Sequence, residues 1–101
     1  MPKLEASNDI IEKVSQLYKA LGDPTRLKIL TLLSQSEMNV SAIVTEIGLE
    51  QSAVSHQLKL LRNNHVVKSR KEGKIVYYSL DDQHVVDILG QTFQHIRHID
   101  K

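Results

Sequence analysis

The feature that most constrains this chain is a change of hydrophobic period. As far as about residue 64 the apolar side chains recur at helical spacing. From Val66 to Leu80 they alternate instead, as VVKSRK and KIVYYSL on either side of a turn at Glu72-Gly73. A stripe with period 3.6 lines one side of a helix, whereas a period of 2 lines one face of a strand. The chain is therefore expected to be mainly α with one β-hairpin. Asp81 or Asp82 then caps a last helix running to about His98.

The helices before the hairpin have readable ends. Residues 8–21 open with Asn8 or Asp9 as N-cap and carry Ile11, Val14, Tyr18 and Leu21 on one stripe, widened by Ile10 and Leu17, before Gly22. Asp23-Pro24 restarts a helix, and Leu27, Ile29, Leu30, Leu32 and Leu33 make it apolar on nearly every side, as a central buried helix requires. Asn39 to Ile47 reads as a short third helix ended by Gly48. A fourth follows Glu50-Gln51-Ser52, with Val54, Leu58 and Leu61 at i, i+4 and i+7. Two short helices joined around a Gly match a helix-turn-helix. Followed by a hairpin, they make a winged helix-turn-helix. No repeat or linker divides the chain, so residues 1–101 read as a single domain.

Charge supports a nucleic-acid reading once it is divided by segment. The total is +1, but Gln51 to Leu80 holds six Lys or Arg against Glu72 alone, a net of +5, which leaves −4 for the rest. A phosphate backbone responds to the local field and not to the total. The second helix of the turn motif enters the major groove, so Gln51, Ser52, Ser55 and His56 on its exposed N-terminal face are the candidates for base edges. Lys59 and Arg62 further along, with Arg70, Lys71 and Lys74 on the wing, are the candidates for phosphate.

The stretch ALGDPTRLKILTLL, followed by QSAVSHQLKLLRNNHVVKSRKEGKIVYYSL, resembles the ArsR/SmtB family of bacterial metal-responsive repressors over about residues 8–98. The resemblance implies an apo homodimer, formed through the first and last helices, that binds double-stranded operator DNA and is released by a metal ion, derepressing metal efflux or resistance genes. Family members of the arsenic and cadmium type carry cysteines in the third helix, where this chain has Asn39 and Ser41. The chain has no cysteine at all, so any metal must be held by histidine and carboxylate.

The last helix supplies such groups in Asp82, His84, His95 and His98. At 100° per residue His95 and His98 fall within about 40° of His84, so the three share a stripe, but His84 and His95 are about 16 Å apart along the axis. Bonds near 2 Å cannot span that distance. Two antiparallel copies of the helix can close the site, because residues 84 and 95 and residues 82 and 98 are both centred on position 90. Position 90 is Gly, which is unfavourable in a helix interior but lets two backbones approach. Asp82 and His84 of one protomer with His95 and His98 of the other form an N₃O set suited to Zn²⁺, with Co²⁺ as a mimic. The D-x-H-x₁₀-H-x₂-H spacing is also that of the zinc-responsive branch of the family. Asp87, about 60° from His84, is a candidate for a further or substitute ligand on the same helix.

Four protein ligands close a zinc site that a hydrolase would keep open, so the sequence does not read as an enzyme and no small organic substrate is expected. No apolar run approaches a membrane span and the first residues lack the apolar core of a signal peptide, which predicts a cytoplasmic protein with no membrane partner. The alternative within the class is a winged-helix repressor answering to Co²⁺, Ni²⁺ or a non-metal signal.

Overall fold

The computed structural model describes residues 3–4 and 6–100. Five helices and three strands follow in the order α1 (Asn8–Leu21), α2 (Pro24–Gln35), β1 (Met38–Asn39), α3 (Val40–Ile47), α4 (Gln51–Asn63), β2 (Val67–Glu72), β3 (Ile75–Leu80) and α5 (Gln83–Ile99). The expected winged helix-turn-helix order is present. Among the described residues no helix is long and apolar enough to cross a membrane.

The helix ends show which local chemistry prevailed. Asp23 caps α2 through a hydrogen bond that its carboxylate accepts from the Arg26 N–H, with Pro24 in the first turn. The α1 cap is Ser7, whose hydroxyl accepts from the Ile10 N–H, and not Asn8 or Asp9, which both lie inside the helix. Serine is as good a cap as either, so residue type does not favour Asn8 or Asp9 over the Ser7 before them. Asn39 likewise stands outside α3 and caps it, accepting from the Ala42 N–H at 2.8 Å. Gly48 ends α3 with φ 81, a left-handed conformation that spares it the Cβ clash of other residues.

The sheet has the order β1-β3-β2, antiparallel throughout. In the hairpin Glu72 pairs with Ile75, so the turn is Gly73-Lys74, one residue beyond the expected Glu72-Gly73. A two-residue hairpin loop needs positive φ at its first position, and Gly73 supplies φ 63. The sequence reading lacked β1. Its two residues pair as Met38↔Tyr78 and Asn39↔Tyr77, which ties the start of α3 to the wing.

The core lies where α2, α3, α4 and the base of the wing meet. Ile29, Leu30 and Leu33 of α2, Ile43 of α3, and Val54, Leu58 and Leu61 of α4 are buried together with Val66, Val67 and Leu80. The helix-turn-helix is thus held by its apolar stripe, and its opposite side remains free. In α1 and α5 the balance differs: Ile11, Val14, Tyr18, Phe93, Ile96 and Ile99 are exposed.

Candidate functional site

The α4 helix presents two faces. Val54, Leu58 and Leu61 are sealed in the core, while Gln51, Ser52, Ser55, His56, Lys59 and Arg62 are all exposed. The N-cap is Glu50, with no side-chain cap hydrogen bond, so neither Gln51 nor Ser52 is consumed in capping. Gln51 and Lys74 line one shallow cleft of about 340 Å³, together with Asn39, Ser41 and Val76. The N-terminus of α4 and the tip of the wing therefore open onto the same side. His56 and Lys59 line a second depression with Asn63 and Asn64 further along α4. The exposed side of α4 thus carries polar and cationic side chains along its length, as a helix presented to a groove requires.

Two of the predicted cations have partners within the chain. Arg62 donates to the Ser69 hydroxyl at 3.4 Å, a weak contact between α4 and β2. Arg70 is bound far more fully. Its Nε and Nη2 form a fork on the Glu37 carboxylate at 2.6–3.0 Å, its Nη1 donates to Glu72 at 2.7 Å, and its guanidinium lies 4.7 Å from the centre of the Tyr77 ring. The hydrogen bond from Arg70 holds the Glu37 carboxyl below its ordinary value of 4.5, and the same bonds raise the Arg70 pKa further above its usual range. Lys71 and Lys74 are exposed.

At the start of α5, Asp82 is the N-cap, its Oδ1 accepting from the Val85 N–H at 3.1 Å. The same oxygen lies 3.5 Å from Nδ1 of His84, and both side chains are largely exposed, at 54% and 90%. The backbone hydrogen bond from Val85 lowers the Asp82 pKa, with His84 adding to the effect, so the carboxylate is ionised at neutral pH. On an ideal helix Asp82 points away from His84, but extended backbone at the cap (φ −149) brings the two together. Two ligands on a tetrahedral ion with bonds of about 2 Å stand about 3.3 Å apart, close to the separation of this pair. His95 and His98 are exposed near the other end of α5. No three His, Asp or Glu side chains within one protomer come together as a metal-binding group among the described residues. Asp87 accepts a hydrogen bond from Gln83 at 2.9 Å. Gly90 is exposed, and a Cβ built on it would meet nothing within 4 Å in the protomer.

Residues 23–69, from the cap of α2 into β2, match the family model described as bacterial regulatory protein, arsR family. Over 93% of its length the chain is 36% identical to a transcriptional repressor SmtB homolog from Synechocystis, covering 71% of that protein. The chain belongs to the arsR family. Another relative, a cadmium resistance transcriptional regulatory protein CadC homolog from Staphylococcus aureus, is 44% identical over 85% of the chain and 72% of its own length. Among solved structures, a homodimeric winged helix-turn-helix DNA-binding domain from Mycobacterium bovis superposes with a TM-score of 0.85 at 28% identity, covering 94% of this chain and 91% of that one. The arsR family match falls on α2, the helix-turn-helix and the first strand of the wing, and leaves α5 outside it. Both relatives bear the names of transcriptional regulators.

Two residues that matter to the surface, Glu37 and Tyr77, escaped the sequence reading. Tyr77 stands directly opposite Arg70 in the hairpin register and could have been found once the turn was placed. Glu37 could not, because it reaches Arg70 only through the two-residue β1.

Proposed function

We propose that this chain is a zinc-responsive transcriptional repressor whose homodimer binds operator DNA through α4 and the wing and loses affinity when Zn²⁺ is bound between the two copies of α5. The observation that carries the metal half is the Asp82–His84 pair, 3.5 Å apart at one end of α5, with His95 and His98 at the other. Half a tetrahedral set at each end of one helix is completed when two such helices cross antiparallel. Asp82 and His84 of one protomer, with the partner's His95 and His98, would then hold the ion. Bound there, zinc supplies a crosslink between chains. The relative named for cadmium resistance supports a metal as the signal, and the homodimeric neighbour supports the twofold assembly.

The DNA half rests on the exposed polar face of α4. Gln51, Ser52, Ser55 and His56 face base edges, and Lys59, Arg62, Lys71 and Lys74 face phosphates. A ligand changes DNA affinity only by preferring one protein conformation over another. A crosslink between the α5 helices prefers one spacing of the two α4 helices, and half-sites on DNA are fixed about 34 Å apart. Coupling of about 1–3 kcal/mol is typical, and DNA must weaken zinc binding by the same factor.

The test is a fluorescence-anisotropy titration against duplexes selected from a random pool by the apo protein. Saturating Zn²⁺ is expected to weaken binding about 5- to 150-fold. His95→Ala and His98→Ala are expected to bind DNA as the parent does in the absence of metal and to ignore zinc. Undiminished affinity of the zinc-loaded parent would refute derepression, and a comparable response to Co²⁺ or Ni²⁺ alone would transfer the reading to those ions.

A further inference from the structure

We propose that Arg70 is a wing-positioning residue, strapping the β-hairpin to the strand that leads into α3, and that it makes no phosphate contact. The proposal rests on the DNA-binding reading above and gives Arg70, which the sequence alone assigns to phosphate, a different task. Arg70 lies on β2 directly opposite Tyr77 on β3, and Tyr77 is in turn opposite Asn39 on β1. Its side chain crosses the face of Tyr77 and reaches Glu37, which immediately precedes β1. Glu72, two residues along β2 on the same face, takes the remaining side of the guanidinium. One side chain thereby links both strands of the hairpin to the residue that leads into β1.

The fork explains why arginine serves here. Its planar group matches the Glu37 carboxylate with two parallel donors while Nη1 remains for Glu72, a division a lysine ammonium cannot reproduce. The same geometry removes Arg70 from the phosphate-facing set. Nε, Nη1 and Nη2 each already donate to a carboxylate, and the cluster of one cation with two anions carries a net charge of −1. Two of the five guanidinium N–H groups remain, and a phosphate reaching them would have to approach both carboxylates. Among the described residues Lys71 and Lys74 meet no such carboxylates. The strap's consequence for DNA is angular. β1 runs directly into α3, so fixing the hairpin to Glu37 fixes the wing tip relative to the helix-turn-helix.

The experiment measures affinity for a labelled mixed-sequence duplex of about 40 base pairs, longer than the spacing of two half-sites, over a range of salt. Each phosphate contact contributes about 0.9 to the slope of log affinity against log salt. Arg70→Met and Arg70→Lys are both expected to lower affinity several-fold with the slope unchanged. Glu37→Gln is expected to lower it similarly, and Glu37→Gln with Arg70→Met no further than either alone, as members of one unit behave. Lys74→Ala, by contrast, is expected to reduce the slope. A phosphate contact by Arg70 predicts the opposite on each point: a slope lower by about 0.9 for Arg70→Met, rescue by Arg70→Lys, and tighter binding by Glu37→Gln. Any of these overturns the strap. Unchanged affinity in all three variants, with unaltered thermal unfolding, overturns it too. Failure of the underlying reading looks different, because then the parent protein shows no salt-dependent binding at all.

Discussion

Asp82 shows how one side chain can carry a structural and a chemical duty that substitution separates. Its Oδ1 caps α5 on the Val85 N–H and lies near His84, while the carboxylate charge is what a cation would need. Asn is as good a cap as Asp but carries no charge. Asp82→Asn is therefore expected to leave apo unfolding close to the parent and to weaken zinc binding, whereas Asp82→Ala weakens both. Isothermal titration with zinc and urea unfolding of the apo forms measure the two effects, and equal zinc affinity in Asp82→Asn would remove Asp82 from the ligand set. At Glu37 pH makes the separation. Its carboxyl is held below 4.5 chiefly by the hydrogen bond from Arg70. A depressed acid contributes stability that is present above its unfolded pKa and lost as pH falls through the folded one. Glu37→Gln is thus expected to be less stable than the parent at pH 7, with the gap closing below pH 4.5. A gap that persists in acid would mean that the carboxylate charge is not what stabilises.

Most of the elements could be read from the sequence because each is written in short-range patterns. The α2 helix announces itself through Asp23-Pro24, and the wing through its alternation. The parts that escaped depend on pairing between distant residues. Two residues cannot show a period, so β1 has no signature of its own. Met38 and Asn39 become a strand only because Tyr77 and Tyr78 lie beside them. The capping of α1 escaped for the opposite reason: Ser7, Asn8 and Asp9 all suit the position. In the candidate site, the exposed face of α4 could be read from the buried one. The occupation of Arg70 could not, because Glu37 lies 33 residues away.

The turn between α3 and α4 shows what such a local signal is worth. Gly48 has φ 81, and a Cβ there would meet nothing within 4 Å. Gly48→Ala therefore suffers no clash with neighbours and only the conformational cost of the left-handed region, about 1–2 kcal/mol. Leu58→Ala in the adjoining helix, at a fully buried position, is expected to cost about 2–5 kcal/mol through lost burial and the cavity left behind. Urea unfolding of the two variants checks the order as well as the sizes. A Gly48→Ala variant as unstable as Leu58→Ala would mean that the turn carries packing beyond its backbone conformation.

The protomer as a whole looks unfinished. Its radius of gyration is 14.9 Å, against about 13 Å for a compact domain of 100 residues. Large apolar side chains stay exposed along α1 (Ile10, Ile11, Val14, Tyr18) and α5 (Val86, Phe93, Ile96, Ile99). A run of exposed large apolar side chains along one element marks an interaction site. The homodimer proposed above covers it with a second copy, and Gly90 tests how that copy sits. In an isolated protomer Gly90→Ala should stabilise, since the added methyl enters open space and alanine exceeds glycine by about 1 kcal/mol in helix propensity. If two α5 helices cross at residue 90, the same methyl appears twice in the narrowest gap and forces the backbones apart. Sedimentation equilibrium should then show a weaker dimer, while thermal unfolding at a concentration low enough to populate monomer shows a more stable chain. Zinc affinity should fall with the dimer, because separating the helices at their centre separates Asp82 and His84 from the partner's His95 and His98 at both ends. A Gly90→Ala protein that dimerises and binds zinc as tightly as its parent would place the crossing elsewhere on α5, and the antiparallel pairing of the four ligands would be lost with it.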